Sequence, residues 1–138
     1  MQTVSSVVDA LVGIPYRAGE AGPAGCDCWG LVVLWFRCAH VVELPAYRVP
    51  RPSTADRAAI AAVIAGEIGP PWRPVTGPLR LSDVALLRRG SAECHVGVHV
   101  GAGRLLHAEG PGPSVVERLS SPGICRRIVG WWRHEALA

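Results

Sequence analysis

One cysteine and two histidines in this chain have the types and spacing that acyl-transfer chemistry requires. Cys28 ends a turn-forming stretch rich in Gly and Pro, Ala18 to Gly25, and from Trp29 to Phe36 the residues are almost all large and apolar. A run of that length suits a helix, and one apolar on every side is buried. Cys28 therefore falls where a loop delivers the chain into the N-terminus of a central helix. Unpaired backbone N–H groups and the positive end of the macrodipole favour a thiolate at such a place. A cysteine nucleophile also needs a base and a group that orients the base. His95 and His107, in the second half of the chain, are the candidates.

Hairpin geometry tests whether those two histidines can meet. If Gly101-Ala102-Gly103 is a three-residue loop with Gly103 in the left-handed conformation, Val100 pairs with Arg104. Gly97 then faces His107, and His95 lies one diagonal step away on the same face, roughly 7–8 Å off. Val96, Val98, Val100 and Leu106 would form the opposite, core-facing side. A loop shorter by one residue would put the histidines on different faces. Taken singly, each residue has a plain structural reading: a cysteine at a helix start is commonly a small buried hydrophobe, and a strand histidine a satisfied polar group. Their combination favours catalysis. His99 shares the histidine face one step further along, where it could touch substrate.

A metal reading would use Cys26, Cys28, His95 and His99. Four residues apart on a strand, however, His95 and His99 would stand roughly 13 Å from each other, and Cys26-x-Cys28 lacks the two-residue gap common in zinc knuckles. No metal or cofactor is expected. Cys38 is expected to pack from the helix, Cys94 to point away from His95, and Cys125 to lie in the last strand; His40 and His134 are expected at the surface.

Other elements must position these groups. Val4 to Val12 has helical apolar spacing and stops at Gly13. Ser53 to Asp56 reads as an N-cap ahead of a second helix over Arg57 to Ile64, ending near Gly66. Tyr47 to Pro52 reads as a connector, and Gly69 to Pro74 as a rigid loop. From Leu79 the pattern turns to strands: Asp83 to Leu87, His95 to Val100, Arg104 to Ala108, Ser114 to Arg118 and Gly123 to Trp132, with a turn over Arg88 to Glu93. Helices first and an antiparallel sheet second predict an α+β fold, the Cys28 helix packed on the sheet.

At 138 residues the expectation is one domain over 1–138. All 14 basic residues are Arg and the net charge is only +3. With no run of like charge, a nucleic-acid partner has little support. Five unevenly spaced cysteines argue for free thiols over a disulfide framework. The start of the chain does not read as a secretory signal, and no apolar run is long enough to span a bilayer. Synthesis in the cytoplasm is the expectation.

Four blocks resemble one known family in order: Gly13-Ile14-Pro15-Tyr16, Asp27-Cys28-Trp29-Gly30-Leu31-Val32, His95-Val96-Gly97-Val98-His99-Val100-Gly101, and Leu106-His107-Ala108. They are similar to those of the NlpC-type cell-wall peptidases, over roughly Val4 to Arg133. The resemblance implies a papain-like fold and cleavage of peptidoglycan stem peptides, usually between D-γ-glutamyl and a diamino acid. It implies Cys28 as nucleophile, His95 as base and His107 as orienter. Tyr16 would help polarise the scissile carbonyl, and Asp27, with Trp29 in place of the usual Ser, would lie where the peptide amine binds. Trp29 and the small size look most like versions from phage tails and gene transfer agents, which implies tail-hub or tail-tip partners and action from the particle at the cell wall. A structural tail-tip component of the same fold, or an N-acetylmuramoyl-L-alanine amidase, are the alternatives.

Overall fold

A computed structural model describes residues 3–45, 71–90 and 92–137, without the side chains of Ala92 and Cys94. The expected second helix, its connector and the orientation of Cys94 lie outside the described residues.

Helix α1 (Val4–Leu11) forms because Val7, Val8 and Leu11 make one apolar stripe, and Thr3 caps it by accepting from Ser6 N–H at 3.1 Å. It stops at Gly13, whose φ of +89° is open to glycine. A small hairpin follows, β1 (Ala21–Gly22) and β2 (Gly25–Cys26). Helix α2 (Cys28–His40) is buried over every residue from Cys28 to Phe36, as its unbroken apolar run demands. Cys28 is its first residue and Asp27 its N-cap.

The sheet is built from β3 (Trp72–Pro74), β4 (Val84–Arg89), β5 (Ala92–His99), β6 (Arg104–His107), β7 (Val115–Arg118) and β8 (Ile128–His134). All pairings are antiparallel, in the order β3-β8-β4-β5-β6-β7. Strand alternation gives it two faces. Val84, Leu86, Val96, Val98, Val100 and Leu106 join α1 and α2 in the main core. Ala85, Leu87 and Leu105 form a smaller core on the other face, closed by Ile124 of the one-turn helix α3 (Pro122–Cys125). The fold is α+β, as expected.

Four local expectations are corrected. Trp72–Pro74 is an edge strand rather than a loop; Pro74 is tolerated because an edge position leaves its missing N–H without consequence. The turn between β4 and β5 is shorter than Arg88 to Glu93, because both strands run on past it. Cys125 ends α3, where Pro122 favours a helical start, and β8 begins only at Ile128. His134 is buried among Phe36 and Trp72, and His40 is half-buried against the Ser82 hydroxyl at 2.6 Å, so neither is a surface residue.

The packing of α2 on the β1 hairpin is closest at Gly30. A Cβ there would stand 2.0 Å from the Glu20 carbonyl oxygen, which is backbone and cannot swing away. Alanine normally favours a helix over glycine by about 1 kcal/mol, but the overlap outweighs that gain. Gly30→Ala should therefore destabilise the chain, by about 1–3 kcal/mol on the overpacking scale, read as a lower urea midpoint. A midpoint raised above the parent's would show the contact to be loose.

Candidate active site

The β5–β6 hairpin has the register expected of it. Val100 N–H donates to Arg104 O at 3.0 Å, and Gly97 stands opposite His107. Gly101, Ala102 and Gly103 all have positive φ, so the whole loop, rather than Gly103 alone, is left-handed. The two imidazoles meet on the smaller-core face: His95 Nε2 lies 2.9 Å from His107 Nδ1, with ring centroids 5.1 Å apart. A nitrogen contact so much shorter than the centroid separation means that the two nitrogens point at each other. Both rings are buried.

Beside this pair the strands are irregular. The β4–β5 register shifts between Leu87 and Arg88, and the β4–β8 register between Leu86 and Leu87. Bulges of this kind bend a strand and re-aim its side chains. Leu87, between the two shifts, is the cross-strand partner of His95.

Three charged residues that no motif marked surround the pair. Glu109 binds Arg127 through both carboxylate oxygens, Nη1 to Oε1 at 3.0 Å and Nη2 to Oε2, and lies 3.4 Å from Arg89 Nε. Ligand-type atoms of His95, His107 and Glu109 all fall within 4.8 Å of one another. The imidazole nitrogens, however, are aimed at each other, and the Glu109 carboxylate is held by two guanidinium groups that would repel a cation. The donors are thus committed to a hydrogen-bonded string rather than converging on one point. Burial pushes His95 down to about 3, with Glu109 the main opposing charge. Burial also lowers His107, against Glu117 and Glu109. For Glu109 burial acts upward, but the Arg127 hydrogen bond and nearby positive groups prevail, and its net shift is downward.

The second group of expected residues gathers at the start of α2. Cys28 is buried in its first turn. Tyr16 is half-buried and bridges to Cys26. Its hydroxyl is pushed well above the ordinary tyrosine range by burial and then by the Cys28 and Asp27 charges. It is therefore a neutral O–H donor at ordinary pH. Arg89 joins the two groups: its charge acts on both Tyr16 and His95. Tyr16 also packs over Gly110, next in chain to Glu109. The flank of α2 packs on the valine face, so it is the surroundings of its first turn that share charged neighbours with the imidazoles.

Two residues expected near the substrate have partners within the fold. Asp27 accepts from Gly30 N–H at 2.7 Å and from Gly19 N–H at 2.8 Å, one bond to each oxygen. Its carboxylate caps the helix and ties down the preceding loop. Trp29 donates from Nε1 to Pro45 O at 2.7 Å and packs edge-on against Trp72, inside the core. His99 is likewise structural: it is buried, its Nδ1 donates to Arg80 O at 2.9 Å, and its ring meets Trp131. Parity was the one available clue to Glu109, which stands two residues beyond His107.

Set against known proteins, the chain matches the model of the NlpC/P60 family over residues 13–133. The murein DD-endopeptidase MepS/murein LD-carboxypeptidase of Escherichia coli K12 is 27% identical over 110 residues, 80% of this chain and 50% of the relative. The chain thus spans about half the length of the curated relatives it matches. Among solved structures, the peptidoglycan hydrolase RipB of Mycobacterium tuberculosis shares 19% identity at a TM-score of 0.57, over 96% of this chain and 66% of that one. RipD of the same organism, described as a non-catalytic NlpC/p60 domain protein adapted to peptidoglycan binding, shares 16% at a TM-score of 0.56, over 96% and 97%. At these identities the likeness is one of fold.

Because His95, His107 and His40 are all held below their ordinary 6.5, chiefly by burial, the unfolded chain takes up protons below that pH which the fold refuses. Stability should therefore fall as pH drops from about 7 to about 5.5, a window above the ordinary carboxylate range. Urea midpoints across that window check it, and His95→Gln should make the fall shallower. An unchanged slope in that variant would show that His95 titrates normally in the fold.

Proposed function

Since the chain belongs to the NlpC/P60 family, we propose that it is a cysteine peptidase acting on the stem peptides of peptidoglycan, with Cys28 as nucleophile, His95 as base and His107 as orienter. The observation that carries the reading is the imidazole pair. His95 turns Nε2 to His107 at 2.9 Å, which leaves Nδ1 for the thiol.

The reaction then runs as acyl transfer. His95 Nδ1 takes the Cys28 proton, and the sulfur attacks the scissile carbonyl carbon. The oxyanion is met by backbone N–H groups at the start of α2 and by the neutral Tyr16 hydroxyl. As the C–N bond breaks, the imidazolium gives its proton to the leaving amine. Water attacks the thioester, again losing its proton to His95, and the acid departs with the thiol restored. This chemistry calls for no metal or cofactor.

A D-γ-glutamyl linkage to a diamino acid is the bond we assign. Such a linkage leaves the α-carboxylate of the glutamyl residue free, three carbons along the side chain from the scissile carbonyl. Arg89, whose charge reaches both Tyr16 and His95, is the kind of group that would meet that carboxylate. The wider setting, held by phage-like tail proteins at the bacterial wall, follows from the resemblance of the motifs alone. A non-catalytic, peptidoglycan-binding role is the second reading, because RipD has the same fold.

Cys28→Ala should lower release of soluble muropeptides from purified peptidoglycan by roughly a thousandfold or more, with little change in the melting curve. Mass spectrometry of the fragments separates γ-glutamyl cleavage from cleavage of a cross-link or of the lactyl–peptide amide. Digestion that survives the substitution would remove Cys28 as nucleophile, and tight binding without digestion by the parent chain would favour the RipD-like role.

A further inference from the structure

The imidazole string does not end at His107. Strand β7 is the outer edge of the sheet, and Glu117 on it pairs with Leu105, one diagonal step from His107 on the same face. His107 Nε2 is buried, with no hydrogen-bond partner among the described residues. Glu117 Oε2 stands 3.7 Å from it, on a side chain still 43% exposed. Other charged groups about His107 are otherwise engaged. Glu109 is held by Arg127 and Arg89, and His95 occupies Nδ1.

We infer that Glu117 is a positioning residue that fixes the protons of both imidazoles and so keeps His95 Nδ1 bare. A carboxylate only accepts. Facing His107 Nε2, it holds the single proton of that neutral ring there, which leaves Nδ1 as a lone pair. His95 must then donate from Nε2, and its own single proton is thereby used. His95 Nδ1 carries none and can take one from a thiol. The opposite arrangement puts a proton on His107 Nδ1, turns His95 Nε2 into the acceptor, and leaves His95 Nδ1 protonated and useless as a base. Two rings and one edge carboxylate thus form a string with a direction, and Glu117 sets the direction. The catalytic consequence rests on the peptidase reading; the proton arrangement does not.

The experiment has two arms on the full chain. Nitrogen-15 spectra of histidine-labelled protein report which ring nitrogen is protonated, whether or not the protein digests anything. His107 should carry its proton on Nε2 in the parent and in Glu117→Gln, whose amide oxygen can still accept. Glu117→Lys offers only donors, on an edge strand that tolerates lysine, and should move the proton to Nδ1. In the second arm, kcat on purified peptidoglycan should fall about a hundredfold in Glu117→Lys with KM unchanged, and stay within about threefold of the parent in Glu117→Gln. A parent His107 protonated on Nδ1, or a Glu117→Lys protein with the parent's tautomer and rate, overturns the inference. If the parent digests nothing, the peptidase reading fails, and the spectra still decide the role of Glu117.

Discussion

The register of the β5–β6 hairpin is the constraint on which the candidate site rests. Side chains alternate across a strand with period two, so a slip of one residue exchanges the faces completely. In the observed register His95, Gly97 and His107 share one face, and Val98 and Leu106 share the other. One position of slip would bury imidazoles against α2 and turn valines toward the arginines. The left-handed loop from Gly101 to Gly103 holds the register by closing Val100 against Arg104, and the valine face locks it from below. The same alternation that builds the core thus aims the two rings.

The start of α2 is held by a different means. Both oxygens of Asp27 are used, one to cap the helix at Gly30 and one to bind the loop at Gly19. Serine or threonine could cap, but a single hydroxyl oxygen could not serve two separated N–H groups in this way. Burial raises Asp27 despite those bonds, so desolvation outweighs them and the site carries a cost in stability. Further along the helix, Trp35 Nε1 donates to the Ser82 hydroxyl at 2.8 Å, tying it to the loop that enters β4. Fixed at both places, α2 cannot slide along the sheet, and its first residue stays where the loop puts it.

Local information accounts for what could be read from the residues alone. Loop length and alternation over His95 to His107 sufficed for the imidazole pair, because both are properties of a short contiguous segment. The apolar run after Cys28 sufficed for the buried helix. Glu117 and Arg127 could not be read in this way, since strand order and the α3 turn bring them in from distant sequence. His99 and His134 depart from expectation for a related reason. Each is a polar-tipped group that its local sequence leaves free to meet substrate or solvent, yet Arg80 and Trp72 respectively engage them through contacts that pass across the fold. Edge strand β3 is hidden in the sequence because Pro71 just before it and Pro74 at its end mask a three-residue segment.

The electrostatics of the pair bear on how the proposed reaction would choose its proton. Buried imidazoles resist charge, and the positive Arg127 and Arg89 offset much of what Glu109 would do to relieve that resistance. Solvent protons are therefore refused, since each would leave an uncompensated cation in a poorly polarisable place. A proton arriving from a thiol is different, because the sulfur becomes negative as the ring becomes positive, and the region as a whole gains no charge. Such a site stays neutral at rest and separates charge only within the reacting pair. Burial, which in isolation would make a poor base of His95, thus favours the one donor whose departure creates a compensating anion. The direction of the string matters for the same reason: only a ring with its free lone pair on the thiol side can take part in that exchange.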